Sequence, residues 1–180
     1  MATVAQDRHA ERKWWKVALV TVPLIVLAGS GIGYLVNSGF SNAWYAPLEK
    51  PSFQPPGWAF GVTWTILYAL MGIALALVIV APPSKPRSRG LALFVMQLVL
   101  NYAWTPIFFG GGMVDWGFVV IMALNVLVTA TIIAFWRVRP LAGILLLPYL
   151  AWLCLATALN YETGRLNPGA DQASLGITGA

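Results

Sequence analysis

Apolar residues run almost unbroken through five stretches of the chain, 17–36, 61–80, 91–109, 116–136 and 141–161, and the polar residues collect between them. Crossing about 30 Å of hydrocarbon at a rise of 1.5 Å per residue takes roughly 20 residues, so each stretch can span a bilayer as an α-helix. The pattern predicts an all-α integral membrane protein, a bundle of five transmembrane helices. Residues 1–16 form a basic N-terminal tail, 17–165 one five-helix membrane domain, and 166–180 a C-terminal tail. The first stretch follows Arg12, Lys13 and Lys16, as the core of a signal peptide would. It is longer than the 7 to 15 residues of such a core and ends without a convincing small-residue cleavage site, so it is read as a helix.

Composition agrees with the pattern. Hydrophobic residues make up 59% of the 180 and charged residues 9%, where a soluble domain carries about 25% charged. A net charge of +5 would point to nucleic acid in a soluble protein, but here the basic residues sit in short segments between apolar runs. With the N-terminus inside, nine Lys and Arg fall on the inner side (Arg8, Arg12, Lys13, Lys16, Lys85, Arg87, Arg89, Arg137, Arg139), against Lys50 and Arg165 outside. The positive-inside rule therefore predicts a cytoplasmic N-terminus and an external C-terminus, for insertion into a cytoplasmic membrane. One Cys (Cys154) and one His (His9) allow neither an internal disulfide nor a metal cluster.

The polar groups inside the spans narrow the function. All six carboxylates (Asp7, Glu11, Glu49, Asp115, Glu162, Asp171) and every Lys and Arg lie outside the predicted span interiors. Pumps and ion-coupled carriers usually carry an intramembrane acid, base or ion pair, so proton-coupled transport is not expected. Nor is there an internal repeat of the kind that marks inverted-repeat transporters.

What the spans do carry is aromatic and amide side chains at helical spacing. Gln97, Asn101, Trp104 and Phe108 share one face of the third span; Tyr149, Trp152, Ala156 and Asn160 share one face of the fifth; Trp64, Tyr68 and Met71 do so on the second. Such stripes can simply glue and fill a helix bundle. Three together, with Ala156 leaving room among them, suit a flat hydrophobic ligand gripped by stacking.

Gly29 and Gly33 form a GxxxG pair that serves either a dimer face or tight packing within the bundle. Pro106 and Pro148 are expected to kink the third and fifth spans. The loop 37–57 is long, aromatic and contains four prolines, which suits a lid or an interfacial anchor. Leu159, Tyr161 and Arg165 match the loose sterol-contact pattern of L/V, Y and K/R, which helix ends with a belt Tyr and an anchoring Arg match readily.

Three blocks carry a family resemblance across residues 44–167. They are Trp44-Tyr45 with Leu48, Lys50-Pro51, Pro55-Pro56, Trp58, Trp64 and Leu67-Tyr68; the run 97–110 containing Asn-Tyr-Ala-Trp-Thr-Pro-Ile-Phe-Phe-Gly; and Pro148-Tyr149-Leu150-Ala151-Trp152 running to Leu159-Asn160-Tyr161. In order and spacing they resemble the translocator protein family, also called tryptophan-rich sensory protein or peripheral benzodiazepine receptor.

The resemblance implies a five-helix bundle, frequently dimeric, that binds protoporphyrin IX and related tetrapyrroles, sterols in some members, and benzodiazepine-type ligands. Porphyrin is then a ligand rather than a cofactor. By motif, the ligand-binding positions are Tyr45, Trp64, Tyr68, Asn101, Trp104, Trp116, Trp152 and Ala156, and the fifth-span stripe adds Tyr149. Trp64 and Trp152 resemble the pair implicated in light-dependent porphyrin breakdown by bacterial members, and would be the catalytic residues if that reaction occurs.

Phe53 stands where many members have Trp, and Leu155 where Phe is common. Members of the family are also found in outer membranes of bacteria and mitochondria, so the resemblance leaves a bacterial cell membrane or an outer membrane as the expected location. Three functions follow as expectations: binding of a tetrapyrrole or sterol-like ligand for sensing, sequestration or transport; light-dependent porphyrin degradation; or a structural membrane adaptor.

Overall fold

In hydrocarbon every backbone N–H and C=O must find a partner within its own segment, and helices meet that demand. The computed structural model describes residues 13–179, and among them all regular structure is helical. Residues 1–12 of the basic tail, with Arg8, His9 and Arg12, lie outside the described residues. The helices are α1 (Trp14–Leu35), α2 (Gly57–Ile79), α3 (Lys85–Thr105), α4 (Val114–Trp136), α5 (Pro140–Ile144) and α6 (Leu147–Leu166). A single π-helical turn, Pro106–Gly110, prolongs α3. Five spans are long and apolar enough to cross a membrane, the fifth built from α5 and α6 together.

Local chemistry explains where the boundaries depart from hydropathy. α3 begins six residues before the apolar stretch because Ser84 Oγ accepts the Arg87 N–H at 3.3 Å and Pro86 suits the first turn. Its first turns are basic, so hydropathy alone does not register them. At the expected kinks, Pro106 converts α-helix to a π-helical turn, closed by Gly111 N–H donating to Pro106 O at 2.9 Å. Pro148 does not bend a continuous helix. Its ring would crowd the carbonyl four residues back, which is that of Ile144, and α5 ends there. Pro148 then sits in the first turn of α6, where a missing N–H costs nothing.

α1 packs chiefly on α2, and α3 on α4, while α4 also carries α5 and α6. Backbone meets backbone most tightly at Gly72, where an added Cβ would lie 2.7 Å from Val22 Cα, and Thr21 Oγ donates to Gly72 O at 2.8 Å. Gly29 faces the Tyr68 ring, 2.2 Å from where its Cβ would be, so this half of the GxxxG pair is used for packing within the bundle.

At the end bearing the 80–84 and 137–139 turns the core is closed by Met71, Ala74, Val78, Phe94, Val128, Ile132, Phe135, Ala142 and Leu146. Phe94 and Phe135 stack there at 5.6 Å. Arg87 caps α2 by donating to Val78 O at 3.1 Å and Ile79 O at 2.8 Å. The outer surface is apolar, with Leu19, Val20, Leu24 and Leu27 of α1 all exposed, as a lipid-facing helix requires.

Candidate functional site

Toward the other end α2 and α6 do not pack backbone to backbone, and the space between the helices is bridged by rings. Phe60 and Trp64 of α2 meet Trp152 of α6 edge to face at 5.5 and 6.5 Å. Around them opens a cavity of about 750 Å³, within the size range of small-molecule sites. None of its lining side chains carries a formal charge.

Of the positions chosen from the sequence, Tyr45, Trp64, Tyr68, Asn101, Trp104, Trp152 and Ala156 line this cavity. Tyr68 Oη donates to Asn101 Oδ1 at 3.0 Å, and Asn101 Nδ2 donates to Tyr149 Oη at 2.9 Å. This network fixes the Asn101 amide in a wall otherwise made of rings. Tyr149 itself is buried behind the wall, bracing Trp64 at 6.1 Å instead of lining the space.

Trp116 is not brought to the cavity. It follows Asp115 in the first turn of α4, about 100° round the helix from Gly117, and is 44% exposed on the outer face. Gly117 is the inward position, where a Cβ would meet Asn160 and Phe108 at 2.9 Å. The sterol-pattern residues are also dispersed. Leu159 is buried, Tyr161 points outward beside Phe118, and Arg165 is paired with Glu162 at 2.5 Å.

Several lining residues escaped the sequence reading. Phe60 stands one helical repeat before Trp64 on the same stripe, just ahead of the apolar stretch that starts at residue 61. Phe40 and Gln54 come from the loop, and Ile121 and Leu124 from an aliphatic stretch of the inward face of α4.

The loop 36–56 roofs the cavity, and its fold has a clear origin in a few side chains. Asn42 Oδ1 accepts the N–H groups of Trp44 and Tyr45 at 3.1 and 3.0 Å, while its Nδ2 donates to Val36 O and Phe109 O, both at 3.2 Å. Lys50 Nζ donates to the carbonyls of Tyr45 (2.6 Å), Ala46 (3.1 Å) and Leu48, and lies 4.4 Å from the Tyr45 ring centre. Burial lowers the Lys50 pKa. Tyr45 Oη donates to Gln54 Oε1 at 3.0 Å; burial raises its pKa and the Gln54 bond partly opposes that. Among the described residues no group of three or more His, Cys, Asp or Glu gathers as metal ligands would.

The stretch of sequence that builds the spans and the loop matches known proteins. Residues 20–166 match the model of the TspO/MBR family. The chain is 42% identical over 135 residues to protein CrtK of Rhodobacter capsulatus, covering 74% of this chain and 84% of that one. It is 41% identical over 144 residues to the translocator protein of Homo sapiens (77% and 85% covered). To the tryptophan-rich sensory protein of Cereibacter sphaeroides it is 41% identical over 126 residues (70% and 78%). A family match running through all five spans, joined to identity of this order over most of each relative, makes this integral membrane protein a member of the TspO/MBR family.

Proposed function

We propose that the protein binds a flat hydrophobic ligand, a tetrapyrrole such as protoporphyrin IX or a sterol-like molecule, in the cavity beneath loop 36–56, and serves its sensing, sequestration or transport. The observation that carries this reading is the uncharged cavity of about 750 Å³ walled by Trp64, Tyr68, Trp104 and Trp152. Rings offer a planar ligand contact area at low entropic cost, and the Asn101 amide with the loop's Ser, Asn and Gln side chains orients its polar edge. Relatives named for translocation and for sensing support the functional half. The charge bias supports residence in a cytoplasmic membrane with the N-terminus inside, and a homodimer follows the family's habit.

Titrating the purified protein with protoporphyrin IX in the dark tests the reading through tryptophan fluorescence. Saturable quenching, weakened in Trp152→Ala, is expected. Absence of quenching, or quenching indifferent to that substitution, would sink it.

The edge-to-face contact of Trp64 and Trp152 on the cavity wall favours a second reading, light-driven oxidation of bound porphyrin. In that step dioxygen adds across a methine double bond of the excited ring, and both oxygen atoms stay in the product. Illumination with oxygen should yield a new absorbing species beyond a free-porphyrin control, and Trp64→Phe with Trp152→Phe should reduce its yield. An unchanged yield would remove the reading.

A further inference from the structure

The most concentrated polar contacts outside the cavity surround Asp115, in the first turn of α4. Its side chain is fully buried, and it takes part in no ion pair among the described residues. A buried carboxylate is tolerated only when donors replace its water. Here every side-chain donor comes from the C-terminal tail. Oδ1 accepts the Thr178 N–H at 2.8 Å and its hydroxyl at 2.6 Å. Oδ2 accepts the N–H groups of Leu175 (2.6 Å) and Ile177 (3.2 Å) and the Ser174 hydroxyl (3.2 Å). Gly176, at φ +70°, turns the chain so that these amides converge. The exchange is mutual, because α4 has no capping side chain of its own and Asp171 supplies one, accepting the Asp115 N–H at 2.7 Å.

Two glycines make room for the tail. A Cβ on Gly164 would fall 2.1 Å from Thr178 Oγ, and one on Gly112 would meet Trp44 Nε1 at 3.0 Å and Gln172 Cδ at 3.1 Å.

The same tail grips the roof. Trp44 Nε1 donates to Ala170 O at 3.1 Å, and Asn167 both accepts from Glu49 N–H (2.7 Å) and donates to Glu49 O (2.9 Å). Trp44 packs on Tyr45, which lines the cavity.

We infer that Asp115 is a positioning residue for the cavity: it anchors residues 167–178 as a strap that holds loop 36–56 closed, so that release of the strap sets the rate of ligand entry and escape. The catch has two states for a physical reason. If the tail leaves, the carboxylate must take up water; if the carboxylate is removed, three tail amides and two hydroxyls lose this acceptor together. The kinetic half of this inference rests on the proposed binding of a ligand in the cavity; the strap itself does not.

Hydrogen exchange on the full-length, ligand-free protein tests the strap, with protoporphyrin IX dissociation as the second readout. Asp115→Ala, Gly164→Ala and deletion of residues 168–180 should each raise exchange across residues 42–50 at least tenfold, with the cores of α2 and α4 unchanged. Porphyrin should leave each variant at least tenfold faster. Ala is a better helix former than Gly, so a looser roof in Gly164→Ala cannot be ascribed to a weakened α6.

Combining Asp115→Ala with the deletion should add nothing to either alone, whereas unrelated destabilisations would add. Altered exchange in a protein that binds no porphyrin would uphold the strap while ending the proposed function. A roof whose exchange ignores Gly164→Ala, or tail amides that exchange at open-chain rates in the unaltered protein, would overturn it.

Discussion

At the end bearing the 80–84 and 137–139 turns, the helices interlock around Phe94, Phe135 and Met71, each fully buried, and the packing is mostly apolar, with the Gln97 amide donating to Met71 Sδ at 3.9 Å. At the opposite end the same helices stand around a cavity of about 750 Å³, and order is kept by a loop and a tail rich in side-chain hydrogen bonds. Packing drives association where lipid removes the hydrophobic advantage of burying apolar groups. The closed end therefore holds the bundle together, and the open end is free to carry polar groups and space. Small residues mark the contrast. Gly72 lets two backbones touch, whereas Ala156 borders the cavity and widens it.

Substitutions can test this division, beginning with the largest expected effect. Phe135→Ala should cost about 3 kcal/mol of stability, the lower part of the range for buried Phe because lipid shrinks the transfer contribution but not the lost packing. Thermal unfolding in detergent measures it, and porphyrin affinity below the transition should be unchanged. Gly72→Val should cost about 1–3 kcal/mol by forcing α1 from α2, since the neighbour in the way is backbone and cannot rotate aside.

Trp152→Ala should do the reverse, weakening porphyrin binding about tenfold, the order of one ring contact, with a smaller loss of stability. If it destabilises the bundle as much as Phe135→Ala, the two ends do not differ as argued.

The smallest effect concerns the roof. Burial holds the Tyr45 pKa above its ordinary 10.0, so the folded chain favours the neutral hydroxyl. That contribution is complete below about pH 10 and is lost as pH rises from there through the raised value. Tyr45→Phe should remove this part of the alkaline decline, read as the difference between the unfolding midpoints of the two proteins.

Much of the fold could be read directly from the chain, and the exceptions share a cause. The five spans followed from run length, while the basic first turns of α3 and the break after Ile144 did not, because each depends on one cap or one proline and not on average polarity. The stripes on α2, α3 and α6 named Trp64, Tyr68, Asn101, Trp104, Trp152 and Ala156 of the cavity wall, but not its α1, loop and α4 parts. Trp116, placed in the site by the family motif, faces outward because one step of about 100° separates it from the inward Gly117. The tail read as a simple C-terminal extension, since its polar sequence gives no sign of the carboxylate that holds it.

The sequence by itself determined the number of spans, the membrane as their surroundings, the uncharged span interiors and the side of three helices that carries rings. Hydropathy and the helical period are local properties that accumulate along the chain. Only the tertiary structure decided that the stripes enclose a space instead of filling it, and that a roof closes it. Those outcomes depend on pairs such as Asp115 with Thr178, 63 residues apart, and Trp44 with Ala170, 126 apart. No local pattern encodes such a meeting; the geometry of the packed helices brings it about.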